Sequence, residues 1–560
     1  MSSLLTKYAK DLTGTVPHSY YPRPTLKRDS FLCLNGEWEY AESVSDESYD
    51  YKEKILVPFP PESTLSRIGR EVKECMHYRR TFTLEKSFIK SHVILHFGAV
   101  DQECEVVING THRYQHAGGY TPFEFDITDA IVEGDNVIEV HARDVLDKKY
   151  PYGKQTKKRG GMWYTPVSGI WQSVWIESLP KDYIKKIKLV PIKDGVRLTV
   201  VGGTGEYKIT LESKELFTFK GQEFDIVLKN PERWSPENPK LYYFSLESGD
   251  DVIESYFAIR EIGICDDGGI KRLTLNGKPY VFNGLLDQGY YPDGIFTPAT
   301  ADSFIDDIRL AKSLGFNMLR KHIKLEPEIF YYLCDKEGIA VFQDMINNGS
   351  YSFIRDTALP TIGLQKLPDE LINRNKESRK IFEDTMYEVA DTLFNHPSVV
   401  YYTIFNEGWG QFSADKMYRK LKDFDKTRII DTTSGWFRRS LSDVDSRHVY
   451  FKKLKAFKAN KKPVVISEFG GYSYRVEGHL FSEKNYGYRL CDSREEYEND
   501  LYRLYNEEVL PLVKAGVSAF VYTQLSDVED ETNGLVTYDR AVVKVTEKKC
   551  KDVMENITKQ

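Results

Sequence analysis

The sequence predicts a multidomain chain in which two β-sandwiches precede a C-terminal (β/α)8 barrel. Three observations carry that expectation. At 560 residues the chain is too long for one core, and three domains is the natural division. From about Leu34 to Gly263, short strands and turn signals follow one another with no convincing helix. After Cys265, strands alternate with helical stretches instead.

In residues 1–180 the strand candidates are WEY, YRRTFTL, HVILHFGAV, CEVVING, FEFDIT, NVIEVHARD and IWQSVWIES. Turns such as Asn109-Gly110 and Glu133-Gly134-Asp135 suit antiparallel connections, so this region reads as a β-sandwich. Lys154 to Ser168, KQTKKRGGMWYTPVS, interrupts the strands with glycines, lysines and aromatics. A long polar loop of this kind carries contacts to something outside its own sandwich. Trp163 and Tyr164 have two readings of equal weight: stacking on a sugar ring, or packing against the next domain.

Residues 181–264 supply a second set: IKKIKLVPI, VRLTVVGG, YKITLES, EFDIVL, LYYFSLES and SYFAIREIGI. The length fits a small immunoglobulin-like sandwich, with Arg233 to Pro239 as a turn between strands, and its expected role is that of a spacer.

Residues 265–560 give eight strand candidates: 280–285, 317–322, 339–343, 399–405, 429–433, 448–451, 464–467 and 519–524. Helix-like stretches such as 301–314, 327–336 and 379–394 lie between them, which is the arithmetic of one (β/α)8 barrel. Residues 346–371 form an insertion after the third strand, expected to shape a pocket.

Composition narrows the function classes. A formal net charge of −7 and a pI near 6.0, without a basic run, disfavour nucleic acid and anionic membrane as partners. The seven cysteines are scattered and show no Cys-x-x-Cys pair, so neither a disulfide frame nor a zinc site is implied. The N-terminal stretch MSSLLTKYAKDLTG has no apolar run of signal-peptide length, and no segment approaches a membrane span, so a cytoplasmic protein is expected. Aromatic residues make up 13% of the chain, which serves β-rich cores first and sugar platforms second.

Two strand ends carry the chemistry. HPSVVYYTIFNEGWGQF, residues 396–412, is a buried β-rich run that ends in Asn406-Glu407 with Gly408 and Gly410 behind it. KPVVISEFG, residues 462–470, repeats the design and places Glu468 at its end. A carboxyl at the C-terminal end of a buried parallel strand is costly to hold without a partner, and in a barrel that rim is where catalysis sits. Either dipeptide alone could be an exposed turn. Glycosidic cleavage needs two such carboxyls, one protonated to assist the leaving oxygen and one ionised to attack the anomeric carbon. The other strand ends add Asp287, His322, Asp344, Trp436, Tyr450 and Tyr522 to the candidate rim. Singly, His322 reads as a structural histidine, Asp344 as a helix cap, and Tyr450 or Tyr522 as core. No closely spaced metal-ligand motif appears, and two-carboxyl cleavage requires neither metal nor other cofactor.

Across nearly its whole length the chain resembles glycoside hydrolase family 2, the group of β-galactosidases, β-glucuronidases and β-mannosidases. The resemblance rests on LNGEWEY, HFGAVDQECEVVING, GGYTPFEFDIT, SGIWQSVWIE, RWSPENPKLY, LNGKPYVFNG, SLGFNMLRKH, CDKEGIAVFQD, HPSVVYYTIFNE and VVISEFG, all in order. It implies a sugar-binding-like jelly roll, an immunoglobulin-like sandwich and a catalytic TIM barrel, in that order. It also implies a retaining exo-β-glycosidase with Glu407 as general acid/base and Glu468 as nucleophile. Asn406 would hydrogen-bond the sugar 2-hydroxyl, and Tyr450 looks like the family's tyrosine beside the nucleophile. A small carbohydrate or glycoside is the implied partner, and a homo-oligomer is in keeping with relatives.

Departures bear on the sugar. The family's β-glucuronidases hold the uronate with an Asn and a Lys just before the Gly that follows the eighth strand. This chain has Glu531-Thr532-Asn533 there, with Asp527, Glu529 and Asp530 upstream, and like charges repel a uronate. Tyr522 stands where many relatives have Trp, FQD matches a motif of the β-mannosidases, and the extra C-terminal domains of large β-galactosidases are not expected. A neutral sugar follows, with β-galactosidase the leading reading and β-glucosidase, β-mannosidase and β-glucuronidase beside it. The reading from another class is a carbohydrate-binding protein that has kept the fold and lost catalysis.

Overall fold

The computed structural model describes residues 4–12, 14–45, 49–364, 367–455 and 461–559. Residues 365–366 of the expected insertion, and 1–3 and 13 of the N-terminal stretch, lie outside them.

The N-terminal region is a β-sandwich. One sheet orders strands 31–33, 174–179, 92–97 and 123–126; the other orders 53–57, 36–43, 75–84, 134–143, 103–108 and 112–117. Alternation drives the packing: in Gly134–Arg143, residues Asn136, Ile138, Val140 and Ala142 face inward while their neighbours face out. Trp38, Leu95, Phe97, Val106 and Ile176 fill the space between the sheets. Strands 53–57 and 112–117 escaped the sequence reading. The second is exposed along one face and carries two His and one Arg, which hides its strand character.

A second, smaller sandwich follows, with sheets ordered 184–192, 195–202, 223–227 and 216–220, 206–211, 242–248, 251–257 around Leu198, Ile209, Leu246 and Ile253.

Eight parallel strands then form a nearly closed barrel: β1 (Phe282–Asp287), β2 (Met318–Lys321), β3 (Ala340–Asp344), β4 (Val399–Asn406), β5 (Ile429–Ser434), β6 (Asp445–Val449), β7 (Val464–Gly470) and β8 (Ala519–Thr523). Their order is β5-β4-β3-β2-β1-β8-β7-β6, with every ladder parallel. The open junction, between β5 and β6, is stitched otherwise. Asp443 N–H donates to Ile430 O at 2.9 Å, and Ser434 Oγ meets His448 Nε2 at 2.7 Å.

Phe282, Phe342, Val400, Val465 and Val521 pack the barrel interior into a solid floor. Leu285, Leu319, Val341, Ile466 and Phe520 face outward to helices that include Ala301–Ser313, Glu328–Glu337, Lys376–Thr392 and Ala414–Phe424. The polar groups above the floor sit on a rigid base. Among the described residues no helix is long and apolar enough to cross a membrane, and Cys33, Cys104, Cys265, Cys334, Cys491 and Cys550 are free thiols.

The 154–168 loop makes contacts outside its own sandwich, as its composition led one to expect, and they are with the barrel mouth. Just ahead of it, Tyr152 Oη donates to Gly349 O at 2.9 Å, and Asn348 of the insertion donates to Lys149 O at 2.8 Å. Thr165 N–H donates to Glu529 Oε1 at 2.8 Å, beyond β8. The insertion after β3 carries a π-helical turn, Ile354–Ala358, and sets Tyr351 over the mouth.

Candidate active site

Glu407 and Glu468 lie at the C-terminal ends of β4 and β7 and face each other across the mouth. One carboxylate oxygen of each, and a ring nitrogen of His448, all lie within 4.8 Å of one another. Glu407 takes a left-handed backbone, φ +52°, a conformation that costs a non-glycine residue about 1 kcal/mol. The turn is held by Glu407 N–H donating to Ser434 O and Trp409 N–H donating to Asn406 O, both at 2.9 Å. Gly408 is required there: a Cβ at that position would lie 2.1 Å from the Phe437 ring.

Arg320, on β2, organises the site. Its guanidinium is buried and donates to Asp344 Oδ1 (3.0 Å), Ser467 O (2.8 Å), Glu468 Oε1 (3.1 Å) and Asn406 Oδ1 (2.9 Å). Tyr450 Oη donates to the other oxygen of Glu468 at 2.7 Å. Burial on its own would raise the pKa of Glu468. The charges of His448, Arg320 and Lys154 outweigh burial and hold this carboxyl below the ordinary range. Glu407 is placed differently: Oε1 meets His448 Nδ1 at 2.8 Å, and no arginine touches it among the described residues. Two like side chains thus sit in unlike surroundings.

His322 pairs with Asp344 (Nδ1 to Oδ2, 2.7 Å), and its pKa falls to about 4, through burial first and then the nearby Lys154 charge. A neutral ring is the result. Asp344 stays ionised despite burial because Arg320 and His322 lie against it. Trp436 stands edge-on to His448 at 5.6 Å between ring centres. Trp163, from the first sandwich, stacks on Trp409 at 5.2 Å and meets Tyr351 edge-on at 4.9 Å, remaining half-buried. Tyr164 is buried against Tyr290.

Two sequence candidates are not brought to the mouth. Asp287 ends β1, but its carboxylate pairs with Lys321 Nζ at 2.6 Å, on the outward-facing side of the strands. Tyr522 packs against Phe469 and Tyr505 in the layer between barrel and helices, and Thr523 takes the rim position instead, 2.8 Å from Tyr450 Oη. In both cases the cause is strand parity: adjacent residues point to opposite faces, so the last residue of a strand need not face the pocket.

Sequence reading also missed Arg320, His448, Lys154, Trp409 and Tyr488. Tyr488 stacks on Tyr450 at 3.9 Å. Arg320 was legible by parity, because it precedes His322 by two on the same strand direction. Of the acids after β8, Asp527 pairs with Lys544 at 2.6 Å and Glu529 accepts from Thr165. Glu531 accepts from Gln524 Nε2 at 2.8 Å, and its pKa rises to about 7, through burial first, against the pull of Lys154.

Glu407, His448 and Glu468 could between them offer ligand atoms to a cation. Both oxygens of Glu468 already accept hydrogen bonds, and the Arg320 charge opposes a second cation beside it.

Two β-sandwiches ahead of a barrel whose mouth gathers two glutamates define the architecture of a (β/α)8 glycoside hydrolase. The chain belongs to the glycosyl hydrolases family 2: its TIM barrel domain matches residues 269–558, its sugar binding domain 43–180, and the family's middle domain 186–263. Among sequence relatives, the β-galactosidase of Kluyveromyces lactis is 25% identical over 513 residues, covering 80% of this chain and 48% of the relative. That of Thermoanaerobacter pseudethanolicus is 25% identical, covering 80% of this chain and 62% of its own. The chain therefore spans about half the length of the curated relatives it matches. Among solved structures, a β-glucuronidase from an uncultured Clostridium sp. superposes with a TM-score of 0.74 at 18% identity, over 95% of this chain and 99% of that one. A β-galacturonidase from Eisenbergiella tayi bound to galacturonate gives 0.70 at 19%, over 97% and 99%.

Proposed function

We propose that the protein is a retaining exo-β-glycosidase acting at the non-reducing end of a neutral β-glycoside, with β-galactosides the leading substrates. The observation that carries this reading is the approach of the Glu407 and Glu468 carboxylate oxygens to within 4.8 Å. Retaining enzymes hold their carboxyls about 5 to 5.5 Å apart, whereas inverting enzymes leave about 6.5 to 9.5 Å for a water.

Glu468, kept ionised by its cationic neighbours, attacks the anomeric carbon while Glu407 delivers its proton to the departing oxygen. The glycosyl-enzyme bond to Glu468 forms as the C–O bond to the aglycone breaks. Glu407, now a carboxylate, takes a proton from water, and that water's oxygen displaces Glu468. Arg320 occupies Asn406 Oδ1, which leaves the amide N–H groups to donate to the sugar 2-hydroxyl. That contact strengthens as positive charge builds on the ring.

The sugar reading draws on the β-galactosidase names among sequence relatives and on the acid at Glu531. Turnover of a panel of para-nitrophenyl β-glycosides tests it. The expected result is hydrolysis with the β-galactoside leading. A different best substrate reassigns the sugar, and no turnover of any member favours a carbohydrate-binding protein.

A further inference from the structure

Lys154 comes from the first sandwich yet ends within the barrel's pocket. Only 8% of it is exposed. Its ammonium lies 5.3 Å from the centre of the Trp409 ring and 6.0 Å from that of Tyr164, and among the described residues no hydrogen bond or ion pair engages its Nζ. With no protein acceptor, the ammonium keeps its donors available to whatever enters the pocket. The ammonium nevertheless sits close enough to Glu468 and Glu531 to pull on both carboxyls, and Glu468 in turn acts on Glu531. The three groups share one space, and the lysine has no fixed acceptor there.

Glu531 is the counterpart. Gln524, just beyond β8, holds its Oε2 at 2.8 Å and also donates to Asn533 Oδ1 at 2.8 Å, so the carboxyl is fixed in place. The other acids of this segment are engaged elsewhere: Asp527 by Lys544, Glu529 by Thr165 and Asp530 by Ser482.

We infer that Lys154 and Glu531 form a charge-matched pair that grips hydroxyls of a neutral glycone and rejects a glycone bearing a carboxylate. The inference rests on the glycosidase reading above and deepens it. A sugar hydroxyl both accepts and donates, so it can satisfy the ammonium and the carboxylate together. A uronate would gain from Lys154 but would have to lie against Glu468 and, as it ionises above about pH 7, Glu531, and like charges so placed cost heavily.

The test is kcat/KM on two pairs of para-nitrophenyl substrates, β-galactoside against β-galacturonide and β-glucoside against β-glucuronide, for wild type, Glu531→Gln, Lys154→Met and the double variant. Wild type should favour the neutral member by at least about tenfold, the discrimination that one like-charge contact supports. Glu531→Gln should shrink that preference about tenfold by raising uronide turnover. Lys154→Met should weaken the neutral sugar mainly through KM, and the double variant should lose the uronide gain. A wild type that prefers the uronide, or a Glu531→Gln ratio equal to wild type, overturns the pair while leaving the glycosidase reading intact. No turnover on all four substrates by well-folded wild type overturns both. Should a variant melt early, competitive inhibition of wild type by free galactose and galacturonate decides the matter: tighter inhibition by galacturonate sinks the inference, and tighter inhibition by galactose supports it.

Discussion

The two sandwiches meet the barrel in opposite ways. The second docks on its flank mainly through groups that pair with one another, leaving His396 Nε2 and Ser398 Oγ without a hydrogen bond among the described residues. Trp234 Nε1 donates to Asp335 O (2.8 Å), Tyr256 Oη donates to Asp335 Oδ2 (2.7 Å), His396 Nδ1 meets the same oxygen (2.8 Å), and Arg260 donates to the carbonyls of Pro397, Thr427 and Val399. The first sandwich docks on the mouth and leaves groups over: the Lys154 ammonium, the Trp409 indole N–H and a half-buried face of Trp163. Buried polar groups in native proteins are nearly always paired, and what sets the mouth joint apart is that its loose ends gather beside the two glutamates, where a substrate could complete them.

That contrast predicts where activity and stability part company. The largest effect belongs to the centre of the mouth. Glu468→Ala should cut kcat by at least about 10^4-fold. Glu407→Ala should lose about 10^2- to 10^4-fold on substrates whose leaving group needs a proton, and much less on dinitrophenyl glycosides. Steady-state kinetics on both leaving groups checks this, and the reverse pattern would exchange the two roles.

Next comes Arg320→Lys. The lysine keeps the charge but cannot donate in the fork that reaches Asp344, Ser467, Glu468 and Asn406 at once, so kcat should fall by about 100-fold. Retention of full kcat would show that Glu468 and Asn406 hold their positions without it.

Arg320 also shows what sequence makes legible. The strand runs ending in Asn406-Glu407 and Glu468 announce themselves through β-branched and aromatic residues, and the three-part architecture follows from where helices begin to alternate with strands. Parity and weak strands are harder. β6, Asp445–Val449, is built of Asp, Ser, Arg, His and Val, with little strand preference, and the reading placed it at His448 to Phe451. Tyr450 consequently lies just past the strand it was assigned to, and His448, which touches both glutamates, went unnoticed. Lys154 could not be found from the barrel at all, because only the fold carries it across domains to the Trp409 ring.

A smaller effect is expected at the outer mouth. Trp163→Ala removes stacking on Trp409, and aromatic pairs of this kind contribute about 0.5 to 1.5 kcal/mol. If the exposed ring face takes part in binding, KM should rise between about two- and tenfold with kcat nearly constant. A change in melting temperature with unaltered KM would instead make Trp163 a packing residue and weaken the contrast between the two joints.

The flank joint should leave turnover untouched and show itself in stability against pH. Burial alone would lower the pKa of His396, but the adjoining Asp335 carboxylate outweighs burial and lifts it to about 9. A group whose pKa rises on folding stabilises the native state fully below its unfolded value, near 6.5, and that contribution disappears as pH climbs through about 9. The shift corresponds to roughly 3 kcal/mol. Wild type should therefore melt at a distinctly lower temperature at pH 9.5 than at pH 6.5, and His396→Gln should flatten that dependence while kcat stays within about twofold, being remote from the mouth. An unchanged pH dependence in His396→Gln would mean that Asp335 is satisfied by Tyr256 and the Ser398 N–H alone, and that the flank is held by neutral hydrogen bonds rather than by an ion pair.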